Sequence, residues 1–123
     1  MNLYDDFTLL ENVELFCKFR KLRKNLNAEA FAKEIGLEKQ KSKQLRYFSS
    51  GMRQRVKLGL AILGDSKLLL LDEPTSHLDS NGVLWFQNLL SDNLEGRSLF
   101  VASNSHQEEI FKCTQTIDVQ QYK

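Results

Sequence analysis

The chain has 123 residues, 41% of them hydrophobic and 27% charged, with a formal net charge of +1. That length supports one modest core. No stretch approaches the roughly 18 apolar residues of a membrane-spanning helix, and the N-terminus carries no apolar signal segment, so the chain is expected to be cytosolic or cytosol-facing. Its two cysteines, Cys17 and Cys113, are too few and too far apart for a metal-type spacing. Without an export signal they read as reduced thiols.

The near-neutral total hides an asymmetry. Between Lys18 and Lys57 there are thirteen Lys/Arg and three Asp/Glu, while from Leu58 onward four basic residues face nine acidic ones. A basic half of this kind can meet RNA, anionic lipid or phosphate. No platform of interleaved aromatic and basic residues accompanies it, so a solvated face is expected and no nucleic-acid partner.

In chain order, residues 1–7 show no period and read as a loop or a broken edge. Thr8 followed by Glu11 fits a capping box, and apolar positions at Val13, Phe16 and Leu22 predict an amphipathic helix over about 9–24. Asn27 caps a shorter helix carrying Ala30, Phe31 and Ile35, which Gly36 ends. Residues 37–47 are polar and lysine-rich, a surface turn or short helix. Ser49-Ser50-Gly51 opens a helix over roughly 50–63, with Val56, Leu60 and Leu63 on one face and Gly64 as its stop.

Residues 68–79, Leu-Leu-Leu-Leu-Asp-Glu-Pro-Thr-Ser-His-Leu-Asp, organise the rest. Four leucines in a row can be a strand or a buried helical segment, since periodicity does not separate the two. Pro74 and the turn-forming residues behind it favour a strand. A strand of a parallel sheet is apolar on both faces, and ligands gather beyond the carboxyl ends of such strands, where Asp72 and Glu73 stand. Asp79 then caps a helix whose buried side is expected to be Leu84, Trp85, Leu89 and Leu90. Residues 98–102 form a second strand, 107–112 a brief helix and 116–119 a weak last strand. The alternation of helix and strand from residue 50 onward predicts an α/β fold with a parallel sheet.

Taken together, these residues resemble the ATP-binding cassette (ABC) ATPases, the nucleotide-binding subunits of ABC transporters. Phe48-Ser49-Ser50-Gly51-Met52 is similar to the signature motif, usually Leu-Ser-Gly-Gly-Gln, with Ser50 in place of a glycine and Met52 in place of the glutamine. Leu68 to Asp72 resembles the Walker B strand, and Glu73 stands where the family keeps its catalytic glutamate. Ser76-His77-Leu78-Asp79 matches the D-loop, and His106 the switch histidine. Tyr4 to Leu15 resembles the start of the helical subdomain. A GxxxxGK[ST] phosphate loop, whose amides and lysine cradle phosphates, is absent from the 123 residues, and so is the glutamine loop.

The resemblance implies the C-terminal portion of such an ATPase, lacking the Walker A half. Its fold would be a partial P-loop NTPase-like parallel sheet preceded by a helical subdomain, divided as residues 1–47 (helical subdomain) and 48–123 (part of the nucleotide-binding core). It assigns Glu73 and His106 to catalysis, Ser49, Ser50 and Gly51 to nucleotide binding, Asp79 to communication across a dimer and Asp72 to a metal. ATP and Mg would be the cofactors of the parent protein, with neither expected to bind this chain alone. The implied partners are a second nucleotide-binding subunit, in a homodimer or heterodimer, and a transmembrane transporter subunit, with the parent complex peripheral on the inner face of the membrane. Phe16, Phe19 and Phe31 are candidate contacts with that subunit, Phe16 and Phe31 being expected to pack internally instead. Arg53 and Arg55 are expected to be structural or solvent-exposed.

Bland readings stand beside these. An Asp-Glu pair can be a solvated strand end, Ser-Ser-Gly an ordinary cap, and His106 a surface histidine. Other members of the superfamily act on ribosomes or DNA, and a catalytically silent pairing subunit would carry similar motifs. In the family's strand order the phosphate-loop strand lies between those corresponding to 98–102 and 116–119. Without it, residues 98–102 are expected to present an unpaired edge that invites pairing with another chain, and leucines 68–71 to lose cover on one side.

Overall fold

The structure is a computed structural model, and it describes residues 2–103, 109 and 112. His106, Cys113, the strand expected over 116–119 and most of the 107–112 helix lie outside the described residues. Four α-helices and two parallel strands are described: α1 (Leu9–Phe19), α2 (Ala28–Glu34), α3 (Ser50–Leu63), β1 (Leu68–Asp72), α4 (Ser80–Asp92) and β2 (Ser98–Ala102). The class is α/β, as the alternation predicts.

Each helix begins where a side chain satisfies an orphan amide. The Thr8 hydroxyl accepts from the Glu11 N–H at 3.1 Å while the Glu11 carboxylate accepts from the Thr8 N–H at 2.9 Å, a complete capping box. Asn27, Ser49 and Asp79 cap α2, α3 and α4 in the same sense, accepting from Ala30, Met52 and Gly82. Helix α1 is shorter than its apolar period suggests. It stops at Phe19 because Arg20 turns extended, with φ −144° and ψ 153°, and Leu22 enters the core from a loop that bridges Gly64. The 37–47 stretch forms two 3₁₀ turns, Glu38–Gln40 and Leu45–Tyr47, and is less superficial than expected, since Leu37 and Leu45 are buried.

One core joins the helices to the strands, with Leu9, Val13, Phe31, Ile35, Val56, Leu69 and Phe86 among its members. Helices α2 and α3 approach so closely that a Cβ at Gly59 would lie 2.5 Å from the Ile35 side chain and 2.9 Å from the Phe31 ring. The arginines of α3 serve this packing, as expected. Arg55 donates to the Ile35 carbonyl at 3.2 Å and lies 4.8 Å from the centre of the Trp85 ring, whose indole N–H donates to the Glu34 carbonyl. Arg53 donates to the Leu45 carbonyl and pairs with Asp5 at 2.7 Å. On α4 the buried side is Gly82, Phe86, Leu89 and Leu90. Leu84 faces solvent at 57% exposure, a correction to the expected stripe, because the helix rotates to put the Phe86 ring into the core.

The two strands pair in parallel with Leu68 opposite Ser98, Leu70 opposite Phe100 and Asp72 opposite Ala102. A strand buried on both faces is corrected by the alternation within β1. Leu69 and Leu71 are buried, whereas Leu68 and Leu70 are 49% and 65% exposed. The helices cover one face of the pair. Among the described residues nothing covers the other, where Leu70 and Phe100 stand side by side, as the expected loss of cover anticipates.

Candidate functional site

Strand β1 ends at Asp72, and the chain leaves it through an abrupt turn. Glu73 holds φ +41° and His77 φ +65°, left-handed conformations that non-glycine residues seldom adopt. Hydrogen bonds enforce the turn. The Glu73 N–H donates to the Ala102 carbonyl at 2.7 Å, tying it to the end of β2, and the Ser76 and Leu78 N–H groups donate back to the carbonyls of Glu73 and Thr75. Strain of this kind persists only where the surroundings over-determine it, and it gathers at functional sites.

The tip of α3 lies against the same turn. A Cβ at Gly51 would sit 2.8 Å from the His77 carbonyl oxygen, so glycine is needed there for the two backbones to meet. One helical turn on, the Gln54 side-chain amide donates to the Pro74 carbonyl at 3.0 Å. The strand end with its acids and the tip of α3 thus form one continuous edge. Asp72, Glu73, Ser49, Ser50 and Asp79 are exposed along it, and Gly51 is half-buried. The Ser49 hydroxyl is occupied as a cap and Asp79 caps α4, so both residues have structural duties as well. His106, the remaining expected site residue, falls outside the described residues.

The chemistry open to this edge is that of an oxyanion partner. A helix start presents unpaired amides and the positive end of its dipole, here on the 14-residue α3. Beside it stand two carboxylates. Among the described residues no three His, Cys, Asp or Glu side chains come together as a metal cage. A lone exposed carboxylate such as Asp72 suits Mg²⁺, which keeps several waters and takes one or two protein carboxylates together with substrate phosphates.

Two residues carry no signal in the sequence, one holding the acidic turn and the other the far end of α3. Glu109 is buried and accepts from both the N–H and the hydroxyl of Thr75. Arg97 gathers carbonyls at the end of α3 and beyond, donating to Ala61, Gly64, Ser66 and Asn93. Burial, and after it the nearby Arg23 charge, push the Arg97 guanidinium below its usual value, with Asp65 opposing. Neither residue belongs to a local pattern, because most of their partners lie more than thirty residues away in the chain.

The ABC transporter family model matches residues 1–76. The lipoprotein-releasing system ATP-binding protein LolD 2 of Rhodospirillum rubrum is 33% identical over an alignment of 123 positions that covers 96% of this chain and 53% of that protein. An uncharacterized ABC transporter ATP-binding protein, YybJ of Bacillus subtilis, is 31% identical over 107 residues, or 87% of this chain and 48% of that protein. The bacitracin transport ATP-binding protein BcrA of Enterococcus faecalis is 32% identical over 103 residues, covering 82% and 33% of the two chains. A solved structure of the ATP-binding subunit of an ABC transporter superposes with a TM-score of 0.69 at 24% identity, over 85% of this chain and 45% of that one, and so shares its fold. The chain spans about half the length, or less, of these relatives. On this similarity of sequence, together with a helical front leading into a parallel strand pair, the chain belongs to the family of ABC transporter ATP-binding proteins.

Proposed function

We propose that this chain supplies the signature and Walker B side of a shared ATP site in the motor of an ABC transporter. The observation that carries the reading is the contact between Gly51 and the His77 carbonyl, which joins the α3 tip and the acidic strand end in one edge. In this reading residues 1–47 are the helical subdomain, and 48–123 belong to the nucleotide-binding core. Asp72 holds Mg²⁺, which when bound neutralises charge on the phosphate oxygens. Glu73 orients the attacking water and takes its proton, the strained turn fixing where its carboxylate points. Ser49, Ser50 and Gly51 present the start of α3 to the γ-phosphate of a nucleotide gripped by a second nucleotide-binding subunit. His106 contacts the same phosphate by resemblance, and Asp79 carries the state of one site to the other.

The exposed Phe19, at 82%, is available to a transmembrane subunit, while Phe31 is in the core and Phe16 packs against it. The relatives' names include lipoprotein release, bacitracin transport and oligosaccharide import. What they have in common is the ATP-driven part, and cargo choice belongs to the partner. A ribosome- or DNA-bound role would need the basic segment as one open stripe. Of its thirteen cations, Lys41, Arg46 and Arg53 pair with Glu29, Asp6 and Asp5, and steep weakening of RNA or DNA binding with salt would mark that role.

Without the amides and lysine of a phosphate loop, the triphosphate loses its main charge-assisted contacts. Calorimetric titration of Mg-ATP into the 123-residue chain is therefore expected to show no binding in the micromolar range. Binding should appear when the chain is combined with a phosphate-loop half. A low-micromolar dissociation constant for the chain alone would refute the shared-site reading.

A further inference from the structure

Among the described residues the buried polar side chains are Asn12, Asn93 and Glu109, and only Glu109 ionises. A buried carboxylate is costly unless donors surround it. Glu109 has them. Its Oε2 accepts from the Thr75 N–H at 2.8 Å and from the Thr75 hydroxyl at 2.7 Å, and its Oε1 accepts from the Ser103 hydroxyl. A carboxylate accepts without donating, which matches three donors aimed at it.

The position of those donors is informative. Thr75 follows Glu73 by two residues, and Ser103 directly follows Ala102, whose carbonyl receives the Glu73 N–H. The bonds close a ring running from Glu73 to Ala102 and Ser103, across Glu109 to Thr75, and back through Pro74. Inside that ring Glu73 keeps its left-handed backbone. Packing alone would have accepted a leucine at 109, whereas the carboxylate fixes both the amide and the hydroxyl of the turn. We infer that Glu109 is a positioning residue for Glu73, holding the turn that aims the Glu73 carboxylate although it lies outside the assigned motifs. The inference rests on the proposed role of Glu73, while the clamp itself is testable apart from it.

Amide hydrogen exchange on the full 123-residue chain tests the clamp. In Glu109→Ala the amides of Thr75, Ser76 and Leu78 should exchange about tenfold to a hundredfold faster, the effect of one lost buried partner, with α3 amides such as that of Leu60 changing far less. Glu109→Gln can still accept from Thr75 and donate to the Ser103 hydroxyl, so it should restore protection to within about threefold. Thr75→Val keeps the amide but loses the hydroxyl and should fall between the two. Unchanged exchange at Thr75 in Glu109→Ala, or equal acceleration in α3 and the turn, would overturn the inference. Should Glu109→Ala not fold, the ordering of wild type, Glu109→Gln and Thr75→Val decides the matter, and identical turn exchange in all three overturns it.

The second arm reads ATP hydrolysis in a protein combining this chain with a phosphate loop. Glu109→Ala should lower kcat about tenfold or more with KM for ATP nearly unchanged, and Glu109→Gln should recover most of it. An opened turn with unchanged kcat would overturn the positioning role. A wild-type protein that hydrolyses no ATP would instead sink the proposed function and leave the exchange result to judge the clamp.

Discussion

Helix α1 packs on α2, and α3 on α4 and the inner face of β1, so the helices bury their apolar residues, whereas the β1/β2 pair buries only one of its two faces. In the helical region Leu9, Val13, Phe31, Ile35 and Val56 are fully inaccessible to water, and Gly59 leaves room for the Phe31 and Ile35 side chains against α3. In the sheet Leu69 and Leu71 are buried, while Leu68, Leu70 and Phe100 stay open. Parallel sheets are ordinarily covered on both sides. The helices and the inner face of the sheet therefore share one core, and the outer face of the sheet is apolar and suited to further packing. The site edge belongs to helices and sheet alike, since α3 comes from the first and the acidic turn from the second.

Substitutions can sharpen or break that contrast, each read by urea denaturation of the chain. The largest loss is expected from Phe31→Ala, about 3–5 kcal/mol, because the ring is fully enclosed between α2 and α3. Within β1 the contrast should appear between neighbours. Leu69→Ala should cost about 2–5 kcal/mol and Leu70→Ala less than about 0.5 kcal/mol. Equal costs at the two positions would mean that the outer face is covered after all. Gly59→Ala should cost about 1–3 kcal/mol, since Ile35 and Phe31 must move aside for one methyl group. Thr8→Ala, which opens the α1 capping box, should cost about 1 kcal/mol.

Much of this architecture could be read from local signals because local signals cause it. Ser49 and Gly64 bound α3 in the sequence and in the structure, and Asp79 starts α4, since caps act within one helical turn. The acids fall at the end of β1 because Pro74 and the residues behind it force the chain to turn. The structure departs from the local pattern where tertiary contacts compete with a period. Leu22 continues the spacing of α1 yet reaches the core from a loop, and Phe86 displaces Leu84 from the buried side of α4. The open face of the leucine strand has the same origin, since four consecutive leucines announce burial without saying which partner provides it. Glu109 and Arg97 could not be found from spacing, as their partners lie in other elements. A lone Glu or Arg among many has no pattern to mark it.

In the proposed function the carboxylate at residue 73 acts on a nucleotide held largely by groups outside this chain. Single-turnover hydrolysis of Mg-ATP by a protein combining the chain with a phosphate loop, compared with its Glu73→Gln variant, tests it most directly. General-base loss predicts a rate lower by about 10²-fold or more, with ATP still bound. A Glu73→Gln variant that hydrolyses ATP at the wild-type rate would contradict the claim.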